Sequence, residues 1–359
     1  MAKRLFWLIL IFLGFGLIVL SSASVVEATK KFGTSSYFWQ HQLFYGIIPG
    51  LILLGVFWRV DYRRLRKIAL PILLFAFVLM VLVLMPSLGI KINGSRSWLD
   101  IGPISFQPAE ALKLALVVYL AAWFSERGDR LKKIKFGLLP FAVILGVVTI
   151  LLLRQPDLGM LGVISIIAGG MFFLAGAPLR QSAGVLLILG VLVLGYAATS
   201  PVRWKRVTTL LNPLADARGS GWQINQSLIA IGSGGAWGVG LGQSTQKFGF
   251  LPEPIGDSIF AILVEELGMA GGLFTLSLFA AFTVLMLTIA RHAHDGFGSL
   301  LVSGMCLWVM TQALVNMAAV TGLLPLTGVP LPFISYGGTS MTAMLAGLGI
   351  ALNVAEHRS

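Results

Sequence analysis

Asp257 closes a polar segment, Leu251-Pro252-Glu253-Pro254-Ile255-Gly256-Asp257-Ser258, that runs directly into the apolar stretch beginning Ile259-Phe260. A carboxylate at the edge of a membrane is costly unless paired or solvated, so it marks a functional site by default. The chemistry open to such a group is proton transfer with a reacting hydroxyl or the holding of a metal ion. Two more acids, Glu265 and Glu266, follow inside the apolar run. A second pair of charges, Glu110 and Lys113, stands three residues apart and shares one helix face. That pair reads either as a structural ion pair or as a cavity-lining pair that touches substrate. A third group of charges, Arg203, Lys205, Arg206, Arg218 and Lys247, surrounds the glycine-rich run Ile231 to Gly242. These cations suit lipid headgroups or a pyrophosphate. The run lacks the preceding strand and the Lys-Ser/Thr ending of a nucleotide-binding loop.

The elements that must position these residues are membrane helices. The chain has 359 residues, 57% hydrophobic and only 11% charged, with a mean hydropathy of +0.90. A soluble domain needs far more charge to cover its surface. Apolar runs long enough to cross a bilayer recur throughout, and their pattern is not the short alternation of a β-barrel. We expect an all-α polytopic bundle forming a single membrane domain over 1–359, with ten spans near 5–26, 38–58, 67–88, 109–124, 137–153, 159–177, 184–200, 258–290, 299–322 and 337–355. One large extracytoplasmic loop, 201–257, precedes the eighth span. Ser22-Ala23-Ser24 after the first run resembles a signal-peptidase site, but an even span count favours a retained first helix. The net charge of +12 collects in the segments that this topology places inside, among them Arg63, Arg64, Arg66, Lys67, Arg130, Lys132 and Lys133. That puts both termini in the cytoplasm, and it explains the basic balance without a nucleic-acid partner. Cys306 is alone, so no disulfide forms within the chain, and the four histidines have no metal-ligand spacing.

Polar chemistry therefore collects on the outer face of the cytoplasmic membrane. It lies in Lys91 to Pro103, in Arg154-Gln155-Pro156-Asp157-Leu158-Gly159, in the long loop, and in Leu323 to Tyr336. Long loops of this kind are commonly functional. Pro325, Pro330, Pro332, Gly337 and Gly338 break any helix before the last span, and irregular backbone at membrane depth must be buried in protein or line a cavity.

Read together, these segments resemble the SEDS family of bacterial cell-wall glycosyltransferases. The likeness runs over nearly the whole chain. It is carried by Arg96-Ser97-Trp98-Leu99, Gln107-Pro108-Ala109-Glu110 with Lys113, Gln155 to Gly159, Gln226 to Gly235, Leu251-Pro252-Glu253 with Asp257, Glu265-Glu266-Leu267-Gly268, and Leu331 to Gly338. The resemblance implies ten spans with both ends cytoplasmic and an essential acid at Asp257. It also implies polymerisation of lipid II into peptidoglycan, with a class B penicillin-binding protein as transpeptidase partner. The usual His-Thr before the acid is replaced by Ile255-Gly256, which removes hydrogen-bonding helpers. Short tails and overall length favour the elongation branch, working with other elongation-complex proteins in cell shape. Lys205-Arg206 and Ser244 to Lys247 lean toward the division branch.

On that reading Asp257 is the general base or metal-positioning acid. Arg96, Lys113 and Lys247 are candidates for the leaving phosphate, with Glu110 holding Lys113. Asp157, Glu265, Glu266 and Ser335 are structural or cavity-lining. No cofactor follows from these residues, and a divalent cation such as Mg or Mn is an option at Asp257. The rival reading is a transporter that flips lipid II between leaflets.

Overall fold

A computed structural model describes residues 1–357 except 93, 103 and 212–219; Arg218, named above, lies outside the described residues. Nine described helices are long and apolar enough to cross a membrane, and a tenth, Leu158–Leu174, is apolar but shorter. In chain order the spans are α1 (Ala2–Phe32), α2 (Tyr37–Arg59), α3 (Arg63–Leu82), α4 (Pro108–Ser125), α5 (Ile134–Arg154), α6 (Leu158–Leu174) and α7 (Leu179–Ala198). Within the long outer loop come two shorter helices, α8 (Pro201–Leu211) and α9 (Ser220–Ser233). The last three spans are α10 (Ile259–Arg291), α11 (Gly296–Val320) and α12 (Gly338–Glu356). All ten expected spans correspond to these helices. The first is an integral part of the bundle, with Phe12 stacked on Phe333 at 4.5 Å.

Lys91 to Pro103 was read as a loop, but its described residues belong to a small sheet. Strands β1 (Gly89–Ile92), β2 (Ser95–Ile101) and β3 (Ile104–Phe106) form an antiparallel meander in the order β1-β2-β3, with Leu99 opposite both Gly89 and Phe106. Thr339 at the start of α12 donates to the Ser105 carbonyl at 3.0 Å, which ties this sheet to the bundle.

The core is centred on α11, which is packed between α4, α6, α10 and α12. Its Trp308 and Leu301 are almost wholly enclosed. Two departures from regular helix shape the site. The segment after α11 is irregular, as expected, and Leu331, Phe333, Ile334 and Ser335 within it are buried. It approaches α1 so closely that a Cβ on Gly16 would lie 2.1 Å from the Phe333 carbonyl oxygen. The second departure is a break in α10 at Gly268, whose φ of 67° and ψ of −170° interrupt the helix.

The break explains the glycine-rich loop. The N–H groups of Val239 and Gly240 donate to the carbonyls of Glu265 and Glu266, both at 3.0 Å. In return, the N–H groups of Met269 and Ala270 donate to Gly235 at 2.9 Å and Ala236 at 3.1 Å. Backbone groups freed by a broken helix at membrane depth must find partners in protein, and this loop supplies them. The N–H groups of Val239 and Gly240 are thereby committed to helix carbonyls, which removes them from the anion cradle considered above.

Candidate active site

The turn that carries Asp257 is closed by its own backbone. The N–H groups of Gly256 and Ser258 both donate to the Glu253 carbonyl, at 3.1 and 3.2 Å, and Glu253 takes a left-handed φ of 50° to allow it. Three successive carbonyls of the turn are then gripped from outside. The Tyr336 N–H donates to Ile255 at 2.9 Å, the Ser335 hydroxyl to Gly256 at 2.6 Å, and the Asn316 amide to Asp257 at 2.8 Å. Ser335 also accepts from the Leu331 N–H at 2.8 Å, which fixes its rotamer. The irregular segment and α11 thus form a socket for the acid's backbone.

The Asp257 side chain is treated differently. Its Oδ1 is buried and has no hydrogen-bond partner among the described residues. Burial, reinforced by the neighbouring Glu253 charge, pushes its carboxyl up to about 6. Gln223 of α9 and the exposed Arg206 of α8 oppose that rise. Gln223 also donates to the Ser258 hydroxyl at 2.9 Å, so α9 is latched to the start of α10. A carboxylate tuned near 6 and held on a rigid backbone is suited to take a proton at neutral pH.

The Glu110–Lys113 pair is fully enclosed. The Lys113 ammonium lies 2.9 Å from Glu110 and 2.8 Å from the Gln312 side-chain oxygen, and sits 4.9 Å over the Trp308 ring. Trp308 donates to that same oxygen at 2.9 Å. The Gln312 amide then donates to the Pro330 carbonyl at 3.0 Å, and Asn316, one turn on, donates to Val329 at 2.8 Å. A stripe of polar groups on α11 therefore connects the buried pair to the socket around Asp257. Lys113, a candidate for the leaving phosphate, is thus held in a buried pair. A buried ammonium needs a compensating charge, and Glu110 and Gln312 already satisfy it.

Lys247, the other buried candidate, is likewise paired. It is buried 2.8 Å from Glu266, which also accepts from the Ser22 hydroxyl of α1. Glu265 accepts from the Thr245 N–H at 2.9 Å and from the hydroxyls of Ser244 and Thr245. These contacts clamp Ser244 to Lys247 onto the stretch of α10 that precedes its break. Asp157 caps α6, accepting from the Met160 N–H at 3.0 Å. Arg96 is half-buried on β2, donates to the Leu84 carbonyl at 3.3 Å, and its Nε has no partner among the described residues.

Four residues near the acid were not singled out from sequence. Trp308, Gln312 and Asn316 recur every four residues in an apolar helix, a spacing that signals one polar face. Gln223 had no comparable signal, because its role depends on how α9 folds back.

Fold and site together define a polytopic membrane protein with a buried carboxylate where a long loop enters a spanning helix. The chain belongs to the FtsW/RodA/SpoVE family, described as "Cell cycle protein", whose model matches residues 3–359. It is 42% identical over 352 residues to the stage V sporulation protein E of Bacillus subtilis, covering 97% of this chain and 95% of that one. It is 38% identical over 340 residues to a protein named "Probable peptidoglycan glycosyltransferase FtsW" from Trichlorobacter lovleyi, covering 95% and 89%. Among solved structures, it is similar to a chain in "Structural coordination of polymerization and crosslinking by a peptidoglycan synthase complex". The TM-score there is 0.82 at 30% identity, covering 99% and 98%. It is also similar to the rod shape determining protein RodA of Thermus thermophilus, with a TM-score of 0.73 at 27% identity, covering 99% and 96%.

Proposed function

We propose that this chain is a peptidoglycan glycosyltransferase that polymerises lipid II on the outer face of the cytoplasmic membrane. The observation that carries the reading is Asp257: its backbone is gripped at three consecutive carbonyls while Oδ1 has no partner among the described residues. A sugar hydroxyl of the acceptor attacks the anomeric carbon of the donor, and Asp257 takes the hydroxyl proton. The new glycosidic bond forms as the bond to the lipid pyrophosphate breaks, so the configuration inverts and the charge leaves on pyrophosphate. With Lys113 and Lys247 paired with carboxylates, Arg206, whose charge reaches Asp257, and Arg96 on the sheet are the cations assigned to that charge.

A divalent cation fits this site only together with substrate. Asp257 supplies one unpartnered oxygen, and the described residues contain no group of three His, Cys, Asp or Glu side chains that could hold a metal. Asp257 would hold Mg or Mn there, and the cation would supply charge that offsets the leaving pyrophosphate.

The partner proposed is a class B penicillin-binding protein, in keeping with the synthase complex to which one structural relative belongs. α11 is enclosed by its neighbours, whereas α10 beyond its break exposes Met269, Leu273 and Val284, so α10 is the face we propose. The branch of the family is a finer matter. Length and short tails favour elongation, while the relatives above carry sporulation, division and rod-shape names. Complementation of elongation-, division- and sporulation-deficient cells separates the three. The activity itself is tested with purified lipid II, with and without partner. Glycan oligomers are expected; translocated but unpolymerised lipid II would instead support the transporter.

A further inference from the structure

A groove far from Asp257 opens at the opposite, cytoplasmic end of the bundle. Its walls are the first turns of α1, through Phe6 and Leu10, and the last turns of α2, through Leu51, Gly55 and Trp58, with Asn353 of α12 at its end. The volume is about 870 Å³, inside the range of roughly 300–1,000 Å³ typical of small-molecule sites. α1 and α2 pack together at their outer ends. At the cytoplasmic end, Phe6 meets Trp58 at 5.3 Å between ring centroids.

The lining is apolar along its length and charged only at its mouth. Arg59, Glu356 and His357 belong to the groove, and Lys3, exposed on α1, shares a helix face with Phe6 and Leu10. With two permanent cations and one acid, the mouth carries net positive charge. Trp58 stands one residue from that mouth, at the depth where interfacial indoles anchor, and its indole N–H finds no acceptor among the described residues. From Leu51 to Arg59 the groove runs eight residues, about 12 Å of helix. Half of a hydrocarbon core of roughly 30 Å is about 15 Å. The depth therefore matches a single leaflet, whereas a partner's spanning helix would need a groove along the full thickness.

We infer that this groove is a binding site for an anionic phospholipid of the cytoplasmic leaflet, with acyl chain between α1 and α2 and headgroup at Arg59 and Lys3. Cations at this level attract anionic headgroups, and the site lies on the face opposite the one where the carboxylate works. The inference does not depend on the reaction proposed above.

The test is native mass spectrometry of the purified full chain titrated with dioleoyl phosphatidylglycerol or dioleoyl phosphatidylcholine. One phosphatidylglycerol should be retained in preference to phosphatidylcholine. Arg59→Gln should weaken retention about five-fold, the effect of one cation near the surface. Gly55→Leu should abolish the retained lipid while the protein stays folded, because a Cβ at Gly55 meets nothing within 4 Å. Unchanged thermal unfolding of that variant guards against simple loss of structure. Equal retention of the two lipids, or undiminished phosphatidylglycerol in folded Gly55→Leu, overturns the inference. So would co-purification of a protein helix that occupies the groove in place of lipid.

Discussion

Replacing Asp257 by Asn should inactivate the protein and stabilise it at the same time. The substitution keeps the side-chain shape and removes the charge. Burial and the Glu253 charge raise the carboxyl from 3.8 to about 6, and at about 1.4 kcal/mol per pH unit the ionised form costs about 3 kcal/mol of stability. Partial solvent access at the turn lowers this to about 1–3 kcal/mol. Because the folded-state value lies above the unfolded one, the favourable contribution is complete below about pH 4. It is lost as pH rises through about 6. The Asn variant should therefore resist denaturation better than the parent at pH 7.5, with the difference vanishing at pH 4. Polymerisation should fall by roughly 10²–10⁴, the usual contribution of a general base. The parent's activity should rise with pH with a midpoint near 6. The assay is gel analysis of glycan products from purified lipid II, paired with denaturant unfolding at the two pH values. Polymerisation within ten-fold of the parent would refute the general-base role. Equal stability at pH 7.5 would refute the claim that the site holds its charge at a cost.

Glu110→Ala leaves Lys113 as an uncompensated buried charge, so thermal unfolding should show a loss of about 3–5 kcal/mol, with activity lost as well. Unchanged stability and activity would show the pair to be dispensable. Lys247→Met should cost a similar amount, and adding Glu266→Gln should recover part of it, as a double-mutant cycle on unfolding free energies can measure. Asn316→Leu removes the donor to the Asp257 and Val329 carbonyls. We expect about 1–3 kcal/mol of destabilisation per carbonyl left unsatisfied, and a drop in kcat larger than stability explains, read at a temperature where the variant is folded. Gly268→Ala places a Cβ 2.3 Å from the Gly238 nitrogen at a positive φ; circular dichroism melts should show a marked loss of stability, and a neutral effect would contradict the packing of the broken helix.

Much of this molecule was legible in its residues. The ten spans follow from runs of apolar side chains, because each must cover its own backbone against lipid. The junction at Asp257 was visible for the same reason, as a charge where charges are expensive. The β meander over Gly89–Phe106 was not legible, since strands this short carry little alternation and are set by pairing across the chain. Nor was the partner of Lys247, or the Gln312 contact of Lys113. Lys113 and Glu110 could be paired from their three-residue spacing, but nothing local pointed from Lys113 to Gln312, or from Lys247 to Glu266, nineteen residues on.

By itself, then, the sequence determined the topology, the sidedness and the position of one acid, all of which depend on local hydrophobicity and on loop charge. Only the tertiary structure decided which charges stay available for chemistry. Pairing of Lys247 with Glu266 required α10 to break at Gly268 and the glycine-rich loop to fill the gap. The socket around Asp257 required α11 and the irregular segment to converge on one turn. Electrostatic availability depends on distance and burial, and neither is fixed until the helices have packed.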